Sequence, residues 1–149
     1  MASGNTEIKN RSAYHEFFID NKYEAGIILL GTEVKSMRDG KVNFGDSYCL
    51  VHKGELWLKS LNIAEYSHGN LNNHDPLRDR KLLLRKREIQ KIESKLKEKG
   101  YTLIPLRIYF NEKGLAKIEL GLAKGKKLHD KRESIKQKDV EREMKRYLK

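Results

Sequence analysis

Residues Thr102 to Leu122, TLIPLRIYFNEKGLAKIELGL, hold two apolar runs separated by a polar, glycine-containing turn. Thr102 to Phe110 and Leu115 to Leu122 read as strands, with Asn111 to Gly114 as the turn between them. Ala116, Ile118 and Leu120 alternate with charged residues, the period of a strand with one face buried. Upstream, Tyr48 to Val51 and Glu55 to Leu61 form a similar pair about His52-Lys53-Gly54. Tyr14 to Leu30 reads as two further strands, turning at Asp20-Asn21-Lys22.

Helices are fewer. Glu33 to Asp39 predicts a short helix, with Thr32 as N-cap and Gly40 as its stop. Asp75-Pro76 predicts a helix start, an acidic cap followed by a proline suited to the first turn. Leu82, Ile89, Ile92 and Leu96 then fall on one helical stripe ending near Gly100. The other faces of that helix carry Arg85, Lys86, Arg87, Lys91, Lys95, Lys97 and Lys99. About six short strands with two or three flanking helices predict a small, mainly β, closed barrel of OB type over residues 1–123. A mixed α+β sandwich is the alternative.

The charge is segregated. The 149 residues carry a net charge of +11. Residues 1–77 hold 8 basic and 10 acidic side chains, whereas residues 78–99 hold 10 and 4, and residues 124–149 hold 11 and 5. Two blocks therefore contain more than the whole excess, which points to a polyanionic partner, nucleic acid first and an anionic membrane surface second. A pair of solvated helix faces is the plainer explanation. Residues 124–149 form a basic tail, expected to be disordered when free and helical when a partner orders it. Val140, Met144, Tyr147 and Leu148 supply its weak apolar stripe.

The signals for catalysis are poor. The five histidines show no metal-site motif of spaced His, Cys or Asp ligands, and neither a phosphate-cradling loop nor a nucleophile elbow occurs. Cys49, the only cysteine, sits in an apolar strand-like run and reads as an inert buried thiol. No metal, cofactor or small-molecule substrate is expected. With a polar N-terminus and no apolar run long enough to span a bilayer, a cytoplasmic address is expected. Tyr14, Phe17, Phe18, Tyr23, Phe44 and Trp57 offer base-stacking surfaces only where they lie exposed, and a core position is the commoner fate.

Four segments together carry a more specific signal: NRSAYHEFFI (Asn10 to Ile19), EAGIILLGTEVKSMRDGKVN (Glu24 to Asn43), NHDPLRDRKLLLRKREI (Asn73 to Ile89) and the run from Lys99 to Glu133 ending GLAKGKKLHDKRE. In order and spacing they resemble the small protein B (SsrA-binding protein) family over nearly the whole chain. The resemblance implies a non-catalytic adaptor in which the barrel binds the tRNA-like domain of tmRNA and delivers it to the A site of stalled ribosomes. The tail would reach the small-subunit decoding centre and the empty mRNA channel. Elongation factor Tu would take part indirectly, through charged tmRNA. By position, the resemblance implies that Asn10, Glu24 and Leu83 contact tmRNA. Arg78, Arg80, Lys81, Arg85, Lys86 and Arg87 suit its phosphates. Gly125, Lys126, Lys127, His129, Asp130, Lys131 and Arg132, with the distal apolar stripe, match the ribosome-binding tail. In that reading His129 stacks on a base, and Lys131 and Arg132 hold rRNA phosphates. The rivals are a general single-strand binder, a nuclease and a resident ribosomal protein.

Overall fold

The hairpin at the C-terminal side organises the molecule. A computed structural model describes residues 6–68 and 72–126. In it β8 (Tyr101–Phe110) and β9 (Ala116–Gly125) pair antiparallel over their whole length. The remaining elements are β1 (Glu7–Lys9), α1 (Arg11–Glu16), β2 (Phe17–Ile27), α2 (Gly31–Arg38), β3 (Val42–Asn43), β4 (Tyr48–His52), β5 (Glu55–Lys59), β6 (Asn62–Ile63), β7 (Arg80–Leu83) and α3 (Lys86–Leu96). Pairings run β8–β4–β5–β7–β2–β9 and back to β8, closing a ring of six antiparallel strands. The ring is the predicted OB-type barrel. β1 adds to the free half of β8, and β3 and β6 form a separate two-stranded ribbon.

Alternation fills the ring. Ala25 and Ile27, Leu56 and Leu58, Leu82, Leu103 and Ile108, and Ile118, Leu120 and Leu122 are all buried in one cluster. Met37 of α2 and Ile89 and Ile92 of α3 join it. At Pro105 the register of β8 on β9 shifts, and Ile104 and Leu106 pack instead with Ala13 of α1 and Ala123, in a second cluster flanked by Phe17 and Ile19. This two-sided burial explains why β8 reads as an unbroken apolar run. Gly121 lies under that second cluster. A Cβ there would meet Leu106 Cδ1 at 3.0 Å, so glycine permits the close approach. The β4–β5 turn is as expected, with Lys53 and Gly54 both at positive φ (52° and 78°), the geometry of a type I′ hairpin.

Three local expectations are corrected. Tyr14 to Leu30 is not a hairpin. It is α1 followed by one 11-residue strand, and Asp20 occupies a bulge between Ile19 and Asn21 as β2 follows β9. Turn-forming residues there bend a strand that has a partner along its whole length, rather than reverse it. Asp75-Pro76 starts no helix. The Asp75 carboxylate accepts from the Leu77 N–H in a tight turn, and the chain then enters β7, where β5 and β2 claim its backbone. Leu82 is thus a strand residue, and the helical stripe begins at Ile89. Thr32 is not the cap of α2: Glu33 reaches back to the Leu30 N–H at 2.8 Å, and the Thr32 hydroxyl bonds His74 Nδ1 at 2.8 Å. In addition, β9 continues two residues beyond the expected barrel boundary at Ala123, through Lys124 and Gly125. The expectations for Lys127, His129, Asp130, Lys131, Arg132, Val140, Met144, Tyr147 and Leu148 fall outside the described residues.

A buried ion pair ties α2 to β7. Glu33 and Arg80 are both 0% exposed, with their charged groups 2.7 Å apart. Arg80 also donates to the Leu61 carbonyl at 2.6 Å and the Pro76 carbonyl at 3.0 Å. Arg78 donates to both Glu33 oxygens and to the Ile28 carbonyl. Burial pushes the Glu33 carboxyl up, but hydrogen bonds from Arg78 and the Leu30 N–H, with the Arg80 charge beside it, outweigh this and hold it below its ordinary value.

Because its partner would be left charged and unpaired, Glu33→Ala is expected to cost about 3–5 kcal/mol in urea unfolding. The Glu33 pKa is lowered in the fold. Its contribution is therefore fully present above the ordinary value of 4.5 and is lost as pH falls through the lower folded value. Stability measured below pH 4.5 should drop more steeply in the wild-type chain than in a Glu33→Gln, Arg80→Met double variant.

Candidate nucleic-acid interface

One face of the barrel collects the residues expected to meet RNA. Across four strands, Lys9 of β1 lies opposite Arg107 of β8, Arg107 opposite Glu119 of β9, and Glu119 opposite Glu24 of β2. Arg107 bridges Glu7 and Glu119, the latter at 3.4 Å, and its guanidinium stacks 4.1 Å from the Tyr109 ring. A cleft lined by Glu7, Lys9, Asn10, Arg11, Tyr14, Leu106, Arg107 and Glu119 opens beside this row. Asn10 and Glu24, fourteen positions apart in sequence, are thereby joined through Glu119. In the next row Lys117 lies opposite Gly26, and Gly26 opposite Leu83. Leu83 is 52% exposed and passes over Gly26, where a Cβ would stand 3.4 Å from its own Cβ. The surface thus presents a carboxylate pair, a guanidinium, an amide and a bare leucine. Glu7, Arg107 and Glu119 were missed by sequence reasoning. Only Glu119 carried a signal, the outward alternation of Lys117 and Glu119 with apolar residues in β9.

Asn10 has a structural task as well. Its side-chain amide donates to the Pro105 carbonyl at 2.8 Å and its backbone N–H to the Leu106 carbonyl at 2.8 Å, docking the start of α1 on β8. Its side-chain oxygen accepts from the Ser12 hydroxyl.

The expected phosphate ligands divide three ways. Arg80 is a correction: it is wholly buried and its guanidinium is enclosed by Glu33, Leu61 and Pro76, so in this fold it reaches no phosphate. Arg78 and Lys81 reach the surface but are ion-paired, Arg78 with Glu33 and Lys81 with Glu55 at 2.7 Å each. Arg85 precedes α3 as its N-cap, and Lys86 and Arg87 begin it; all three are exposed and carry no ion pair among the described residues. In the tail signature, Gly125 closes β9 opposite Phe17, and the Lys126 ammonium donates to the Tyr14 carbonyl at 3.0 Å.

Nothing in this surface resembles catalytic machinery. Burial pushes the Cys49 thiol far above its ordinary range, so it is no nucleophile. Among the described residues no cluster of His, Cys, Asp or Glu is suited to a metal, and no helix is long and apolar enough to cross a membrane. A six-strand antiparallel barrel with charged and hydrogen-bonding groups on its outer face defines a protein of the OB type, a scaffold used to bind oligonucleotides and oligosaccharides.

The chain belongs to the SmpB family, whose model, described as SmpB protein, matches residues 7–149. The SsrA-binding protein of Geobacter sulfurreducens is 58% identical over 135 residues, covering 91% of this chain and 88% of the relative. That of Fervidobacterium nodosum is 56% identical over 140 residues, covering 94% of each. A solved structure described as "tmRNA-SmpB: a journey to the center of the bacterial ribosome" superposes with a TM-score of 0.71 at 53% identity, covering 81% of this chain and 85% of that one. The family is one of RNA-binding adaptors rather than enzymes.

The two central polar residues should separate cleanly in urea unfolding. Asn10→Ala removes the bond to Pro105 and is expected to cost about 1 kcal/mol. Glu24→Gln relieves a carboxylate facing Glu119 and is expected to leave stability unchanged or raise it by up to about 0.5 kcal/mol.

Proposed function

We propose that this protein is the tmRNA-binding adaptor of trans-translation, with the Asn10–Glu24–Leu83 face of the barrel holding the tRNA-like domain of tmRNA. The observation that carries the reading is the mixed row Arg107–Glu119–Glu24 beside the Asn10 cleft. A surface meant only for phosphate would be uniformly cationic. Carboxylates on an RNA-facing sheet are suited to base amino groups and 2′-hydroxyls, and Leu83 to an apolar ribose or base face. Arg85, Lys86 and Arg87, exposed together where the chain enters α3, add phosphate contacts that position the RNA without reading its sequence. Arg78 and Lys81 hold the loop and strand that carry Leu83, and contribute their charge from within ion pairs.

In this reading the tail, with Lys126, Lys127, His129, Asp130, Lys131 and Arg132 at its root, enters the small-subunit decoding centre. Val140, Met144, Tyr147 and Leu148 continue into the empty mRNA path. Ordering such a segment costs about 1–2 kcal/mol of backbone entropy per residue, so it folds only where rRNA contacts offset that. An mRNA already in the path would remove those contacts, which makes the tail a sensor of vacancy. Elongation factor Tu enters through its hold on charged tmRNA. The relatives named SsrA-binding protein, and the solved complex of SmpB with tmRNA, support this assignment.

Binding titrations test it. The full chain, and a chain ending at Lys126, are each expected to bind a tmRNA tRNA-like domain tightly and an elongator tRNA much more weakly. Glu24→Ala and Leu83→Ser should each weaken the tRNA-like complex roughly tenfold, the scale of about 1.4 kcal/mol. A triple Arg85, Lys86, Arg87→Gln variant should flatten the salt dependence by about 2–3 in log–log slope. Equal affinity for both RNAs, lost with salt and with the tail, would overturn the reading in favour of a generic polyanion grip.

A further inference from the structure

At the end of the barrel where β9 leaves the sheet, the last buried layer is Leu103 opposite Leu122. One row further, on the same face of β9, Lys124 lies between Tyr101 of β8 and Phe18 of β2. A hydrophobic residue at Phe18 would ordinarily close the barrel. Instead it is 53% exposed, and the Lys126 ammonium stands 5.0 Å from its ring. Lys124 stands 4.6 Å from the Tyr101 ring and Lys95 of α3 stands 5.5 Å from it. The Tyr101 hydroxyl donates to Asp20 at 2.9 Å, so the β2 bulge fixes the ring in place. Two carboxylates are close, Asp20 on that phenol and Glu98 at 3.5 Å from Lys95.

We propose that this rim, Phe18, Lys124 and Tyr101 with Lys126 and Lys95 beside it, binds single-stranded RNA by stacking unpaired bases on the two rings. Aromatic rings interleaved with lysines are what an unpaired strand requires, a π-face for each base and a cation for each phosphate between. The free protein already shows the exchange that binding needs. Each ring face attracts a lysine through its quadrupole. An incoming base takes the ring face, and the displaced ammonium moves about one side-chain length to the phosphate that arrives with the base. Rigid anchoring favours the arrangement, since Lys124 and both rings lie on paired strands, and the Lys126 ammonium that would leave Phe18 also gives up its bond to the Tyr14 carbonyl. Charge continues along the strand's path. The row Arg87, Lys91 and Lys95 runs at four-residue spacing along the exposed side of α3 into the rim. Duplex RNA is disfavoured, because its bases are stacked within the helix and offer no face to a ring. This surface is distinct from the Asn10–Glu24–Leu83 face and does not depend on what that face binds.

The test uses the full chain, with hexa-adenylate RNA and an abasic hexamer of the same backbone charge as probes. Wild-type protein is expected to bind hexa-adenylate at least about fivefold more tightly than the abasic strand, the gain from one stacked base. Phe18→Leu keeps an apolar side chain and should abolish most of that preference, with an unchanged melting temperature and unchanged affinity for the tRNA-like domain. Phe18→Trp should restore it, with indole fluorescence quenched by hexa-adenylate and not by the abasic strand. A wild-type chain without preference between the two strands overturns the proposal. So does a Phe18→Leu variant that keeps the preference, which would then lie with His129 or Tyr147 of the tail. Should Phe18→Leu melt early, an unquenched Phe18→Trp alone overturns it.

Discussion

Glu33 and Arg80 sit inside the barrel protein, shielded from bulk solvent, and the way β7 faces hangs on that pair. An isolated charge in such a place would cost several kcal/mol, so the surrounding groups must satisfy it completely. Four groups surround the pair: the carboxylate accepts from the Leu30 N–H and from Arg78 as well as from Arg80, while the Arg80 guanidinium also reaches the Leu61 and Pro76 carbonyls. The bonds tie α2, Leu61 just after β5, and the 75–79 turn to β7. Once Arg80 is fixed inward, alternation sends Leu82 into the core and Leu83 out over Gly26. A hydrophobic replacement of the pair would fill the same space without specifying which way β7 faces.

The barrel then uses its wall in two ways. Around the β1–β8–β9–β2–β7 face, charges of both signs pair with one another across strands, as Arg107 does with Glu7 and Glu119. Such a surface has modest net field and many hydrogen-bonding groups, which favours a particular RNA shape over any polyanion. At the rim the balance is different, with lysines over the exposed Phe18 ring and the half-buried Tyr101 ring. The two chemistries are thereby kept on separate surfaces.

How much of the fold is legible in the sequence depends on whether the determining contact is local. The β4–β5 and β8–β9 hairpins are legible because turn residues and alternation lie within about twenty positions of each other. The start of β7 is not, because Asp75-Pro76 is a good helix signal by itself, and only pairing with β5 and β2, far away in the chain, makes residues 80–83 a strand. Asp20-Asn21-Lys22 reads as a turn for the same reason, since a bulge and a turn draw on the same residues and differ only in whether a partner strand continues. Leu82 has the spacing of the helical stripe but belongs to the strand before it. Arg80 stands among ten cations in one basic block, and composition does not reveal which of them faces an inward carboxylate 47 positions earlier.

By itself, then, the sequence determined the barrel's local parts, the segregation of charge into two blocks and, through its long ordered motifs, the family. Those are properties of neighbouring residues and of composition, which survive without knowledge of the fold. The tertiary structure alone decided that Arg80 is core and Arg85 surface, that Asn10 and Glu24 meet through Glu119, and that Phe18 opens to solvent while Phe44 is buried. Each of those outcomes turns on strand register and packing between residues distant in the chain. A shift of one residue in register would have exchanged inside for outside, and nothing in the local pattern records which register is built.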